Sequence, residues 1–274
     1  MLPEDCVSTI LSLTSPPDAS RSALVSAAFR SAADSDVVWE RFLPPDYRKI
    51  VAASVTPMEF SSKKELFFRL CNPAFIDGGN KMVKLDKLSG KKYYMLSARE
   101  LSISQSNEPS SWSWKSMPES RFESVAVLIT ASRIEIKSSI RTRILSPNTN
   151  YGAYLIVKIS ETSYGLDSIP SEISIQAGSS QSYGTAFLSR PSKNKLQMES
   201  LFYSNRMHML RQRVERGDEK APRERDDGWT EIELGEFFSG EGDDEVKTSL
   251  REVKGGHLKG GFIVEGIELR PKSG

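Results

Sequence analysis

The first part of the chain, residues 1 to about 47, carries apolar side chains at the spacing of helical turns. Pro16-Pro17 and Pro44-Pro45 interrupt this pattern, so it predicts several short helices rather than one long helix. Such short helices cannot bury all of their apolar surface against one another, because domains of this size are marginal alone. The surplus surface predicts a docking face for a partner. The pattern consists of Val7, Ile10, Leu11, Leu24, Val25, Ala28, Val38, Trp39 and Phe42.

A second helical stripe follows and predicts helix from residue 48 to about 80. Its apolar positions include Phe60, Leu66 and Leu70. Asn72-Pro73 and Asp77-Gly78-Gly79-Asn80 interrupt the stripe, because Pro and Gly favour turns over continued helix. We therefore predict a helical connector over residues 48–90, with a candidate domain boundary at these breaks, residues 72–80.

After Gly90 the apolar period changes from helical to two residues. Residues 133–137, 172–176 and 231–234 alternate between apolar and polar side chains, and Gly, Pro and Ser separate such runs. Strict alternation is typical of strands with one buried and one wet face, as in antiparallel sheets. The predicted fold class is therefore α+β: a small N-terminal helical domain followed by an all-β antiparallel sandwich. A densely charged segment at about residues 205–227 is predicted to be an exposed loop.

The 274 residues include 37 basic and 36 acidic side chains, a net charge of +1. This balance does not favour a nucleic acid or an anionic membrane as the main partner. The two cysteines, Cys6 and Cys71, are too few for a disulfide framework and indicate a reducing compartment. We find no apolar run of membrane-spanning length and no signal-peptide pattern. The expected location is the cytoplasm, the nucleus or both.

Three short motifs near the N-terminus occur in a fixed order: Leu2-Pro3-Glu4-Asp5, Ala23-Leu24-Val25-Ser26 and Asp36-Val37-Val38-Trp39. In order and spacing they resemble the F-box, the module that ties a protein to the Skp-type adaptor and the cullin of an SCF ubiquitin ligase. The resemblance implies that Trp39 is the strongest adaptor contact, since buried Trp dominates many interfaces. The alternative is that Trp39 and Leu24 are core residues of a helical cap. The implied adaptor contacts are Leu2, Pro3, Ile10, Leu24, Val25 and Trp39.

A second resemblance covers the chain from about Lys91 to the C-terminus. Its four motifs begin at Tyr93, Trp112, Asp227 and Gly266. Together they are similar to the phloem protein 2 lectins of plants, whose Nictaba-like domain is a jelly-roll-like sandwich. An F-box followed by this domain resembles the B-type group of that family. The resemblance implies an F-box over 1–47, a connector over 48–90 and a lectin domain over 91–272.

The lectin resemblance also implies carbohydrate-binding residues: Trp112, Glu245 and Glu252. An aromatic face packs on the apolar face of a sugar ring, while carboxylates bond its hydroxyls. The alternatives are that Trp112 is a core residue and that the acidic turn before Glu245 is merely solvated. The second tryptophan of the family's site is replaced here by Gln105, which is expected to weaken stacking by about 1 kcal/mol. The implied ligands are N-acetylglucosamine oligomers or high-mannose glycans.

No catalytic site is apparent in the sequence. His208 and His257 have no adjacent nucleophile pattern, and the two cysteines and two histidines are not spaced as a zinc site. We therefore expect no cofactor, no metal and no catalysis by the chain itself. The predicted function is that of a substrate-recognition subunit of an SCF ligase, with a lectin-like domain that binds carbohydrate or glycoprotein targets. The alternatives are a stand-alone nucleocytoplasmic lectin and an interaction scaffold with neither activity.

Overall fold

The computed structural model describes residues 3–167, 169–189, 219–252 and 256–272. The chain divides into two compact units, Met1–Met95 and Leu96–Gly274. Helices precede antiparallel sheets along the chain, so the predicted α+β fold class is confirmed. No helix among the described residues has the length and hydropathy needed to cross a membrane.

Six short helices lie in the described part of the first unit. Serine side chains begin several of them: Ser15, Ser26 and Ser62 each accept a hydrogen bond from the backbone N–H three residues later. Such caps satisfy amide groups that a helix start leaves unpaired. The prediction of several short helices is therefore correct. The helices are α1 (Glu4–Ser12), α2 (Pro16–Ser22), α3 (Ala27–Asp34), α4 (Asp36–Phe42), α5 (Tyr47–Ala53) and α6 (Lys63–Leu70).

The connector is only partly helical, so the prediction of helix to about residue 80 is wrong. After α6 the chain forms a hairpin of β1 (Ala74–Ile76) and β2 (Lys81–Leu85). Gly78 and Gly79 make its turn with φ values of 65° and 87°, which glycine adopts without steric cost. The predicted helix does not continue to residue 80, because the Gly78-Gly79 turn reverses the chain between β1 and β2. The strand β3 (Lys92–Ser97) then leads from the first unit into the second.

The second unit contains two sheets. Their strands are β4 (Ser102–Ile103), β5 (Trp112–Lys115), β6 (Val125–Leu128), β7 (Ile134–Arg141), β8 (Asn150–Tyr164), β9 (Ser171–Ala177), β10 (Ser180–Ala186), β11 (Glu219–Lys220), β12 (Arg223–Glu224), β13 (Thr230–Phe238), β14 (Glu245–Glu252) and β15 (Gly260–Pro271). In one sheet, β15, β8, β13 and β12 follow one another, and β6 pairs with both β15 and β5. In the other sheet the order is β11-β10-β9-β14-β7-β4, antiparallel except for the parallel pair β10–β11.

The alternating runs of the sequence are strands whose apolar residues face the core. Buried and accessible side chains alternate along β7, from Ile134 to Arg141. Gly235 lies at a β-bulge in β13, where a Cβ atom would be 2.5 Å from the side chain of Ile175 on the other sheet. Its φ of 154° is also unfavourable for other residues. Glycine therefore allows the two sheets of this unit to approach closely at this point.

The predicted loop at about 205–227 is only partly described. Residues 205–218 lie outside the described residues. Among the rest, β11 and β12 are short strands, and the Arg225 guanidinium is largely buried in ion pairs with Glu231 and Glu268. Most of the described residues at this end, 221, 223, 224 and 226–228, are exposed as predicted, but residues 219, 220, 223 and 224 form the two short strands rather than loop.

Candidate functional site

The first candidate site is the connection between α2 and α3. Leu24 and Val25 lie here with large exposed fractions, 83% for Leu24. The backbone N–H of Leu24 bonds to the Arg21 carbonyl, and that of Val25 bonds to the Ser22 carbonyl. These bonds fix the turn, so the two aliphatic side chains project into solvent from a defined backbone.

Other exposed apolar side chains belong to α1, its C-terminal end and α4. Ile10 is about half exposed, and Pro3 is exposed at the start of α1. Leu13 and Val37 are also exposed, although sequence reasoning did not select them. Their signal was present in the sequence, since both adjoin positions of the helical stripe. Leu2 lies outside the described residues.

Trp39 does not contact solvent, so the prediction that it is an adaptor contact is wrong for this structure. Its side chain is fully buried, and its indole Nε1 donates a 2.6 Å hydrogen bond to the Ala33 carbonyl. Its ring packs against Phe42 and Phe67 at centroid distances of 5.6 and 5.3 Å. The helices close around the largest apolar side chain, because its burial contributes most to a small core.

Trp112 is likewise a core residue, and its prediction as a sugar platform is wrong. The side chain is only 2% exposed on β5, opposite Leu128 of β6. Its indole Nε1 has no hydrogen-bond partner among the described residues. A sugar ring cannot stack on a face that the protein already covers. Trp229 is also buried, and its indole Nε1 donates a hydrogen bond to the Glu119 carbonyl.

Glu245 and Glu252 lie at the two ends of β14 and point to opposite faces of its sheet. Their separation of seven residues is odd, and successive side chains of a strand alternate between faces. Glu252 is buried and forms an ion pair of 2.5 Å with the buried Lys259 ammonium, so its predicted role as a sugar contact is wrong. A charge held in the interior requires such a partner.

Glu245 is exposed. It accepts a 2.6 Å hydrogen bond from the Ser139 hydroxyl and pairs with Lys247 at 3.0 Å. The Ser139 bond, followed by the Lys247 contact, lowers the pKa of the Glu245 carboxyl from its ordinary value. Of the three predicted carbohydrate contacts, only Glu245 is accessible in this structure.

Two further positions, Trp114 on β5 and Gln105 before it, lie near Trp112 in the sequence. Trp114 is half-buried beneath the Arg99 guanidinium, whose carbon lies 3.7 Å from the ring centroid, and Arg99 Nε also donates to the Ser124 hydroxyl. Gln105 is exposed with a φ of 61°. The structure therefore does not bring Trp112, Glu245 and Glu252 together on one accessible surface.

Comparison with known protein families assigns both units. The F-box domain model matches residues 1–41. The Phloem protein 2 model matches residues 91–271, well over half of the chain. The chain belongs to the phloem protein 2 family. The resemblance predicted from the sequence motifs is thus confirmed, including the F-box that precedes the phloem protein 2 domain.

Relatives with the same arrangement match over nearly the full length of this F-box protein. F-box protein VBF of Arabidopsis thaliana is 49% identical, covering 100% of this chain and 99% of the relative. F-box protein PP2-B15 of the same plant is 51% identical, covering 99% and 96%. A mannanase structure, GH26-CBM35 β-(1,4)-mannanase of Podospora anserina, covers 66% of this chain and 28% of its own at 6% identity. Its TM-score of 0.34 is too low to support an argument.

Membership of this family indicates the general role of the candidate surfaces. An F-box implies binding to a Skp-type adaptor in an SCF complex, and F-box proteins are generally non-catalytic adaptor subunits. In this F-box, Leu24 and Val25 are exposed while Trp39 is internal. In the phloem protein 2 domain, the buried positions Trp112 and Glu252 contribute to the interior rather than to a surface.

Proposed function

We propose that this protein is the substrate-recognition subunit of an SCF-type ubiquitin ligase. Its F-box docks the Skp-type adaptor, and its phloem protein 2 domain binds carbohydrate or glycoprotein targets. The observation that carries the proposal is the exposure of Leu24 and Val25 on a hydrogen-bonded turn of the F-box. Exposed aliphatic side chains on a small helical module lose contact with water when a partner covers them, which stabilises the complex.

The protein needs no chemistry of its own for this role. One unit holds the ligase and the other holds the target, so target lysines reach a high effective concentration near the ubiquitin carrier. Two cysteines in the whole sequence, one in the F-box and one buried, offer no obvious thiol relay for ubiquitin. We place the complex in the cytoplasm, the nucleus or both, with the cullin bound through the adaptor.

The decisive experiment measures adaptor affinity for Leu24→Ser and Val25→Ser in the full chain. Loss of a central apolar contact typically costs more than 1 kcal/mol at an interface, so we expect the double variant to bind at least about tenfold more weakly. Leu88→Ser is the matched control, because Leu88 is also an exposed leucine of the first unit but lies outside the F-box match. Urea unfolding should be unchanged in the two single variants, the double variant and the Leu88→Ser control.

Retention of wild-type adaptor affinity by the double variant contradicts the proposed docking face. The alternative, a stand-alone lectin, is disfavoured by the aliphatic side chains that remain exposed in the F-box. The carbohydrate role is tested separately, with the full chain passed over immobilised N-acetylglucosamine oligomers and high-mannose glycans. If neither sugar retains the protein, target recognition is through a protein surface instead.

A further inference from the structure

A small pocket lies in the phloem protein 2 domain beside β12, the last strand of its sheet. We call it the rim pocket. Its volume is about 200 Å³, below the roughly 300–1,000 Å³ of pockets for drug-sized ligands, and suits a group the size of one side chain. Three strands and the two residues that close the chain after β10 contribute to it. It is lined by Ile159, Leu188, Ser189, Pro222, Glu224 and Thr230.

The strand register places the Glu224 side chain on the core-facing side of its sheet. Glu224 pairs with Thr230, and Thr230 pairs with the fully buried Val157. Residues directly opposite each other on neighbouring strands share a face. Val157 is on the same side of β8 as Ala153, which pairs with Gly235 where the two sheets approach most closely. A carboxylate therefore occupies a position that usually carries an apolar residue.

The protein does not neutralise this carboxylate. Within the part of the chain that the structure describes, Glu224 has no ion-pair or hydrogen-bond partner for its side chain. Arg225 is engaged elsewhere, in ion pairs with Glu231 and Glu268. Arg223 pairs with Glu231 in the register, so it lies on the opposite face of the sheet from Glu224. An uncompensated carboxylate in a pocket attracts a cationic ligand.

The other lining groups indicate which cation fits. The Ser189 and Thr230 hydroxyls have no hydrogen-bond partner among the described residues, so with Glu224 they offer three oxygen acceptors. An ammonium group carries three N–H donors and no acceptor, whereas a guanidinium is a flat fork that suits one carboxylate. Ile159 and Leu188 provide an apolar wall for an alkyl stem. The pocket therefore matches a primary ammonium group on a short apolar chain.

We propose that the rim pocket binds a lysine side chain of a target protein. The ammonium donates hydrogen bonds to Glu224, Thr230 and Ser189, while the methylene groups pack on Ile159 and Leu188. This inference rests on the proposed role in target recognition and names one feature that the target presents. A lysine held in the pocket cannot accept ubiquitin at the same time, so the modified lysine of the target is a different one.

The test titrates the full chain, at low ionic strength, with a capped alanine peptide that contains one lysine. We expect binding that shifts the backbone amide NMR signals of Glu224 and Thr230 and that weakens as salt is added, because the contact is ionic. Acetylation of the lysine removes its charge and should weaken binding at least about tenfold. The same peptide with arginine in place of lysine should also bind more weakly. Butylamine, which is the lysine side chain without its backbone, is the free-amine probe.

Two variants test the lining groups. Glu224→Gln keeps the length of the side chain but removes its charge, and should weaken binding of the lysine peptide about three- to tenfold. Thr230→Val removes one neutral acceptor and should weaken it about two- to threefold. Glu123→Gln is the matched control, because Glu123 is an exposed glutamate of the same unit that does not line the pocket. Urea unfolding should be unchanged in all three variants.

Several results would overturn the inference. An inward charge on an edge strand can also prevent edge-to-edge pairing. On that alternative, Glu224→Gln self-associates and binds the lysine peptide like the wild type. Tighter binding of butylamine than of the lysine peptide overturns the target protein as the source, and tighter binding of the arginine peptide overturns the choice of lysine. Failure of the wild type to bind any probe overturns the pocket as a cation site. Adaptor binding, measured in the same preparation, tests the proposed ligase role independently.

Discussion

The F-box and the phloem protein 2 domain expose opposite kinds of side chain. The F-box presents aliphatic residues such as Leu24 and Val25, whereas the strands of the second unit present serines, glutamines and paired charges. Both units nevertheless bury tryptophan, at Trp39 in one and at Trp112 in the other. Tryptophan is the residue type most prone to lie in interfaces, yet it does not mark the accessible surface of either unit. A small core buries its largest apolar side chains, because their burial stabilises it most.

The largest expected effect is the loss of a tryptophan from the F-box core. Trp39→Ala should lower the free energy of unfolding of the first unit by about 3–5 kcal/mol, because it removes a fully buried ring. Urea unfolding followed by circular dichroism measures this loss. A variant that unfolds like the wild type but no longer binds the adaptor would restore Trp39 as a direct contact. Trp39→Phe, which keeps an aromatic ring, should be destabilised less.

The second unit can be tested through its buried ion pair. Lys259→Met removes the cation beside Glu252 and should destabilise the sandwich by about 3–5 kcal/mol, the usual result of breaking one side of a buried pair. Lys259 also donates to the Ser132 carbonyl, so part of the loss comes from that bond. The double variant with Glu252→Leu should recover much of the stability, since no unpaired charge is left behind. Equal losses in the single and double variants would contradict this explanation.

The smallest effect concerns acid stability of the first unit. Hydrogen bonds from the Ser61 backbone and then from Arg69 and the Ser61 hydroxyl lower the pKa of Glu65 to about 2. Because the folded pKa lies below the ordinary value near 4.5, the stabilisation is complete above pH 4.5 and disappears as the pH falls toward 2.

Glu65→Gln should therefore flatten the dependence of unfolding on pH between about 4.5 and 2. Thermal unfolding over this range measures the slope. Glu59→Gln is the matched control, since Glu59 is an exposed glutamate of the same unit with no hydrogen bond among the described residues. An unchanged slope in Glu65→Gln would mean that another carboxyl causes the acid sensitivity.

The parts of the fold that follow local rules were predictable. Proline pairs and alternating runs identified the short helices and the strands β7, β9 and β13, because helix termination and strand alternation depend on neighbouring residues. The hairpin of β1 and β2 was missed, since strands of three and five residues show too few positions to establish a period. The Gly78-Gly79 turn was recognised as a break but not as a reversal between strands.

The candidate sites depended on tertiary structure and were predicted less well. The alternation of side chains along β5 places Trp112 on one side of the strand, but it does not show which side is buried in the folded domain. The error at Glu252 could have been found, because residues seven apart on one regular strand cannot both face a ligand. Neighbours across the second sheet could not be predicted, because Tyr183, Ser174 and Ser249 come together only through the strand register.

The two cysteines differ in a way that has a practical consequence. Cys6 is exposed on α1, whereas burial raises the pKa of the Cys71 thiol to about 11. Since only the thiolate reacts with alkylating dyes, Cys71 is protected at neutral pH and Cys6 is the accessible target. A fluorophore can therefore be attached to Cys6 of the natural chain, without an engineered cysteine. Because Cys6 lies in the same short helix as Ile10, the emission of this fluorophore can report binding of the ligase.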